Sequence, residues 1–112
     1  MEINSRKNET AIILDIYGDV DLYNAPDLVN MIHKLAEKEK CKIIINLKDV
    51  FYIDSSGIGA IISGLLHVEE NSGELKIIHI SAAVKKIFEL TNLISFFDIY
   101  DSEEKAIKSF KN

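Results

Sequence analysis

Apolar residues along the chain alternate between two spacings, and those spacings set the expected elements. Residues 11–17, Ala-Ile-Ile-Leu-Asp-Ile-Tyr, make a β-rich run closed by Gly18, and Ile3 with its neighbours adds a short edge strand ahead of it. From Asn24 the period lengthens: Leu28, Val29, Ile32, Leu35 and Ala36 share one helical face. Asn24 stands where a cap belongs and Pro26 suits a first turn, so an amphipathic helix is expected to about Lys38. Cys41 to Leu47 contains three consecutive isoleucines, Ile43 to Ile45, the pattern of a strand buried on both faces in the middle of a sheet. Helical spacing returns at Ile58, Ile61, Ile62, Leu65 and Leu66 until Asn71-Ser72-Gly73 breaks it. A strand over Leu75–Ile80, a helix over Ala82–Leu90 with Val84, Ile87 and Phe88 inward, a strand over Phe96–Tyr100 and a helix over Glu103–Phe110 complete the order.

Strands alternating with helices at short spacing predict an α/β layered fold, because a parallel crossover needs a helix to cover the sheet and return the chain. The expected sheet is mixed and mostly parallel, with about five strands, the first two antiparallel, flanked by four helices. With 112 residues, 47% of them hydrophobic and 28% charged, the chain is expected to form one domain over residues 1–112. No apolar run approaches the roughly 18 residues that span a bilayer, and the opening segment lacks an apolar leader, so a cytoplasmic protein without a membrane is expected. A net charge of -5 argues against nucleic acid, whose affinity comes from Lys and Arg displacing counterions. Cys41 is the single cysteine, no Cys/His pair has metal spacing, and neither metal nor cofactor is expected. His33, His67 and His79 sit singly in different expected elements and read as structural.

Chemistry concentrates in Asp54-Ser55-Ser56-Gly57-Ile58-Gly59, just past the central strand and at the mouth of the next helix. Unpaired N–H groups and the helix dipole favour an anion there, so a serine at this point can carry a phosphate. The plainer alternative is that Ser55 or Ser56 caps the helix through its hydroxyl, with Gly57 and Gly59 relaxing the turn. Asp19 and Asp21 either end a strand in a solvated turn or lie beside this segment, since loops after neighbouring parallel strands gather at one end of a sheet.

The run 54–59 closely resembles the Asp-Ser-[Ser/Thr/Ala]-Gly-[Leu/Ile]-Gly signature of bacterial anti-sigma factor antagonists of the STAS family. Gly18-Asp19-Val20-Asp21 is similar to that family's Gly-Glu/Asp-[Leu/Ile]-Asp turn, and Asn46-Leu47 with Asp49-Val50 resembles its lead into the phosphorylation loop. Residues 81–88, followed by Leu90-Thr91-Asn92-Leu93, resemble the third helix and its exit. The resemblance implies a stand-alone STAS-type domain with Ser55 as phosphoacceptor and Asp19, Asp21, Asp54, Ser56, Gly57, Ile58 and Gly59 at the partner contact. It also implies partner switching rather than catalysis. The unphosphorylated form would bind a kinase-fold anti-sigma factor and free the sigma factor; that same serine kinase would end binding by phosphorylation, and a PP2C-type phosphatase would restore it.

Within the fold, the alternative is a STAS module serving a non-sigma assembly, such as a phospholipid-transport complex or another partner-switching regulator. A response-regulator receiver fits poorly, because no lysine follows residues 96–100 before the helix that holds Lys105. A serine hydrolase fits poorly too: Gly-x-Ser-x-Gly is absent, and no histidine is placed by the sequence to activate Ser55.

Overall fold

The computed structural model describes residues 1–111; Asn112, the last residue of the expected domain, lies outside the described residues. Its elements are β1 (Glu2–Asn8), β2 (Ala11–Tyr17), α1 (Ala25–Ala36), β3 (Lys42–Asp49), α2 (Ser55–Glu70), β4 (Glu74–Ile78), α3 (Ala82–Leu90), β5 (Ile99–Tyr100) and α4 (Glu103–Ser109). One five-stranded sheet runs in the order β1-β2-β3-β4-β5, antiparallel at β1/β2 and parallel at every later pair. This is the mixed, mostly parallel sheet with four helices that the alternation of spacings predicts.

The isoleucine run in β3 shows why this strand is central. Alternating side chains leave opposite faces of a strand. Ile43 and Ile45 enter the main core with Leu28 and Ile32 of α1, Ile61 and Val68 of α2, and Val84 and Phe88 of α3. Ile44 points the other way, into a smaller cluster with Ala11, Ile13, Ile78, Ala106 and Phe110 beneath α4. Three helices therefore cover one face and a single short helix covers part of the other.

Four expectations need correction. The first strand lies at the sheet edge as expected but is seven residues long rather than short, because its whole length pairs with β2 from Glu2↔Tyr17 to Asn8↔Ala11. The strand expected over 96–100 shrinks to Ile99–Tyr100, since the chain turns where the Phe96 N–H bonds the Leu93 carbonyl and Phe97 stacks on Phe88 with ring centroids 5.5 Å apart. Asn24 stands at the N-cap of α1 but its side chain makes no cap bond. Finally, His33 and His67 are not solitary: α1 and α2 cross so closely at Gly64, where an added Cβ would lie 2.8 Å from Ile32 Cδ1, that the two rings stack at 4.2 Å. His33 Nε2 also lies 3.3 Å from Ser63 Oγ. Among the described residues, no helix is long and apolar enough to cross a membrane.

Candidate functional site

Because β2, β3 and β4 are parallel, the connections that leave their C-terminal ends gather at one pole of the sheet. Gly18, at φ +95°, makes the sharp exit from β2 that a side chain would strain, and its N–H donates to the Asp49 carbonyl at 3.2 Å. The two connections then run side by side as an isolated parallel bridge, Val20↔Ile53. The Val20 N–H donates to the Tyr52 carbonyl and the Asp54 N–H to the Val20 carbonyl, each at 3.1 Å. The 79–81 connection joins the same pole through Ser81 Oγ, 3.0 Å from the Val50 carbonyl.

Asp54 pins this assembly. It is the N-cap of α2, in extended conformation, and Oδ1 accepts the Gly57 N–H at 3.0 Å. Its Oδ2 accepts the Leu22 N–H at 3.1 Å, 32 residues away in sequence. The cap is therefore an aspartate, and neither serine is needed for it. Ser55 takes the first helical position, exposed, and its hydroxyl has no hydrogen-bond partner among the described residues; Ser56 is half-buried. The amides of these two serines belong to the helix turn that has no intrahelical acceptors, so they face outward with the positive end of the α2 dipole.

The remaining segment divides by burial. Gly57 is buried because the chain packs directly over it: a Cβ there would lie 2.6 Å from Ile53 Cγ1 and 2.9 Å from the Val20 carbonyl oxygen. Ile58, 6% exposed, faces the core. Both are expected at the partner contact, and the structure buries both, where they seat the helix against the Gly18–Asn24 turn. Gly59 is exposed. In that turn, Asp21 Oδ1 accepts the Tyr23 and Asn24 N–H groups at 2.9 and 3.2 Å, and Asn24 Nδ2 donates to the Asp19 carbonyl at 2.9 Å. Asn24 Oδ1 accepts the Asp21 N–H at 2.8 Å, which is why its side chain does not cap α1. Asp21 is thus largely a turn-builder, half-buried, whereas Asp19 is exposed.

Two pairs of residues at this pole escape a reading based on periodicity. Leu22 (63% exposed) and Tyr23 (91%) from one connection, and Phe51 (65%) and Tyr52 (50%) from the other, flank the Asp54 cap. Hydrophobic side chains outside any periodic run, within three residues of a cap, are the sequence signal that marks them. An exposed apolar rim of this kind is the usual mark of a protein contact. A groove of ≈1230 Å³ lies at the other end of the parallel strands among Lys34, Lys42, Glu74 and Lys111 and contains none of residues 54–59. The exposed Leu22, Tyr23, Phe51 and Tyr52 give this pole a surface suited to a protein partner.

Asn46, in the segment leading to the loop, connects the pole to a charged network on the α4 face. Its Nδ2 donates to Asp15 Oδ1 at 2.8 Å and its Oδ1 accepts the Lys48 N–H at 3.0 Å. Arg6 Nε donates to Asp15 Oδ2 at 2.6 Å while its other nitrogens grip both oxygens of Glu103, at 2.6 and 3.0 Å. Asn8 Nδ2 adds a bond to Glu103 at 2.7 Å. The Arg6 hydrogen bonds hold the Asp15 and Glu103 carboxyls below their usual range, overcoming burial, and those same bonds raise Arg6 above its own ordinary value. This network fastens the C-terminal helix to the first strand.

A layered α/β domain whose helix mouth offers a free serine between exposed apolar loops defines a protein-interaction module. The chain belongs to the STAS domain family, whose model matches residues 2–106. An anti-sigma-B factor antagonist of Bacillus subtilis (strain 168) is 32% identical to it over 108 residues, covering 96% of this chain and 98% of that protein. Its fold is similar to that of the anti-sigma factor antagonist SpoIIAA in its unphosphorylated form, with a TM-score of 0.80, 20% identity and coverage of 99% of this chain and 100% of that one. The Bacillus cell fate determinant SpoIIAA in the phosphorylated form also matches, with a TM-score of 0.72, 19% identity and coverage of 96% and 97%.

Proposed function

We propose that this chain is an anti-sigma factor antagonist: unphosphorylated, it binds a kinase-fold anti-sigma factor and releases the sigma factor, and phosphorylation of Ser55 ends the binding. The observation that carries this reading is the free, exposed Ser55 hydroxyl at the first position of α2, with the cap supplied by Asp54. In the phosphorylation, Ser55 Oγ attacks the γ-phosphorus of ATP as the bond to ADP breaks, and the hydroxyl proton passes to a base of the kinase. The chain is the substrate and needs no base of its own. A PP2C-type phosphatase would hydrolyse the ester and restore the hydroxyl, and such an exchange belongs in the cytoplasm.

Phosphate adds about -1.5 to -2 charges at neutral pH. On the chain's own side the helix mouth favours that charge by about 0.3–1 kcal/mol, through outward N–H groups and the dipole. On the partner's side it meets an interface built for a small neutral hydroxyl, where desolvation of the added charge and lost fit cost several kcal/mol. The partner's loss exceeds the chain's gain, so binding is switched without refolding. Asp19, Asp54, Ser56 and Gly59 form the contact with the apolar rim, and Asp21 shapes the turn that holds it.

Calorimetry with a purified kinase-fold anti-sigma factor of the same genome tests the reading. Wild type and Ser55→Ala should bind alike, and the protein carrying phosphate on Ser55 should bind at least tenfold more weakly. Equal affinity of the phosphorylated and unphosphorylated forms would contradict it, and a chain that binds only a non-sigma assembly would move it to another partner-switching system.

A further inference from the structure

Four of the five glycines answer to the fold, and the fifth does not. Gly18 has φ +95°, and a Cβ at Gly57, Gly64 or Gly73 would lie within 2.6–2.8 Å of Ile53, Ile32 or the Cys41 carbonyl oxygen. A Cβ at Gly59 would meet nothing within 4 Å, and its backbone is not in the left-handed region. It sits inside α2, exposed to solvent, where glycine is a markedly poorer helix former than alanine. Nothing inside the molecule repays that weakness. The reason for the missing side chain must then lie outside.

Its position says what the outside is. Residues four apart share a helix face, with Cβ positions about 5–6 Å apart, so Gly59 is the next residue along the surface from Ser55. A serine oxygen stands only one carbon from the backbone. Phosphoryl transfer needs its reacting atoms about 3–3.5 Å apart and in line, so whatever delivers the phosphate must come down almost onto the α2 backbone. Apolar side chains raise the ground on the Ser55 side of the cap, at Phe51, Tyr52, Leu22 and Tyr23. Along the helix, the space at Gly59 in the second turn is open, since a Cβ there would meet nothing within 4 Å.

We propose that Gly59 is a clearance residue: the kinase-fold partner seats against the bare second turn of α2, and any side chain at 59 holds it away from Ser55. The proposal rests on the antagonist reading and gives that reading a steric rule. Position 59 is then set by partner fit at the expense of helix stability, so the two properties move in opposite directions on substitution.

Gly59→Ala and Gly59→Leu, with Glu69→Ala near the far end of α2 as a control, are compared with wild type for thermal midpoint, affinity for the purified kinase-fold anti-sigma factor, and phosphate uptake at Ser55 from ATP. Gly59→Ala should raise the midpoint by roughly 2–6 °C through helix propensity. It should also weaken binding roughly 5- to 150-fold, the usual range for overfilling a fitted contact, with Gly59→Leu weaker still and phosphate uptake slowed in the same order. Glu69→Ala should bind as wild type does. A lower midpoint for Gly59→Ala would show that the fold itself demands this glycine and would overturn the proposal. Normal binding and phosphorylation of both variants, with wild type phosphorylated on Ser55, would overturn the proposal alone. If wild type neither binds nor takes phosphate, the antagonist reading falls and this rule falls with it.

Discussion

Ser81 and Ser55 stand at the starts of neighbouring helices on the same pole of the sheet, yet their hydroxyls are used differently. Ser81 is the N-cap of α3: its oxygen accepts the Val84 N–H at 3.3 Å and its hydroxyl lies 3.0 Å from the Val50 carbonyl, tying two connections together. At α2 both tasks fall to Asp54, which caps through Gly57 and ties to Leu22. The serines follow one residue later. A carboxylate has two acceptor oxygens and no proton to donate, so it can cap and brace at once. Placing it at the N-cap leaves Ser55 exposed, preformed in position and free of structural duty. A serine that holds the fold is a poor switch, because modifying it would unmake the site; Ser55 carries no such load.

The contrast is broken hardest by changing what lies beneath the serines. Gly57→Ala should destabilise the domain by about 2–3 kcal/mol in urea unfolding, because the added methyl collides with Ile53, Val20 and the Val20 carbonyl, none of which is a flexible side-chain end. Normal stability would mean that the two connections are not clamped over this residue.

Electrostatics sharpens the comparison, because acid should loosen the α4 face through carboxylates while leaving the serine hydroxyls untouched. Asp15 and Glu103 are held below their ordinary values by Arg6, so the unfolded chain binds protons more readily than the folded one. Their contribution is complete above the ordinary carboxylate range, and it is lost as pH falls through that range and below. Urea midpoints at pH 7 and pH 3.5 should differ by less in Arg6→Leu than in wild type. An equal difference would remove this pair from the acid response. Asp15→Ala at neutral pH, which removes the bonds from Arg6 and Asn46 while Arg6 keeps Glu103, should cost about 1–2 kcal/mol.

Effects of that size or smaller follow at the caps. Asp54→Ala and Ser81→Ala should each cost about 1–2 kcal/mol, and Asp54→Ala alone should speed hydrogen exchange at the Leu22 amide. Ser55→Ala should be the mildest, within about 0.5 kcal/mol of wild type. A loss at Ser55 as large as that at Ser81 would mean that the hydroxyl does cap α2, and the distinction between the two helices would disappear.

Much of this was legible in the sequence, for reasons that can be named. The spacing of Leu28, Ile32 and Ala36, the isoleucines of β3 and the apolar residues of α3 are local patterns with long periodic support, so those elements stand where expected. Which of Asp54, Ser55 and Ser56 caps α2 turns on a one-residue difference in where the backbone becomes helical, and that is set by the Val20 and Leu22 bonds from a distant loop. The stacking of His33 on His67 depends on how closely two helices cross, and the Arg6–Asp15–Glu103 network joins residues 97 positions apart. Leu22, Tyr23, Phe51 and Tyr52 were hidden by their own character, since hydrophobic residues are read first as core. Phe97 shows the opposite case: the β-rich run from 96 to 100 predicts a strand, but Phe97 packs on Phe88 in the core while Phe96 stays exposed, and the strand is left with Ile99–Tyr100.

Mapping the phosphate tests the central claim most directly. The purified chain is incubated with ATP and a purified kinase-fold anti-sigma factor of its own genome that binds it, and intact-mass and fragment spectra locate the modification. A single phosphate on Ser55, absent in Ser55→Ala, is the predicted result; a phosphate on Ser56 or Ser81 instead, or none on a chain bound to its authentic partner, would contradict it.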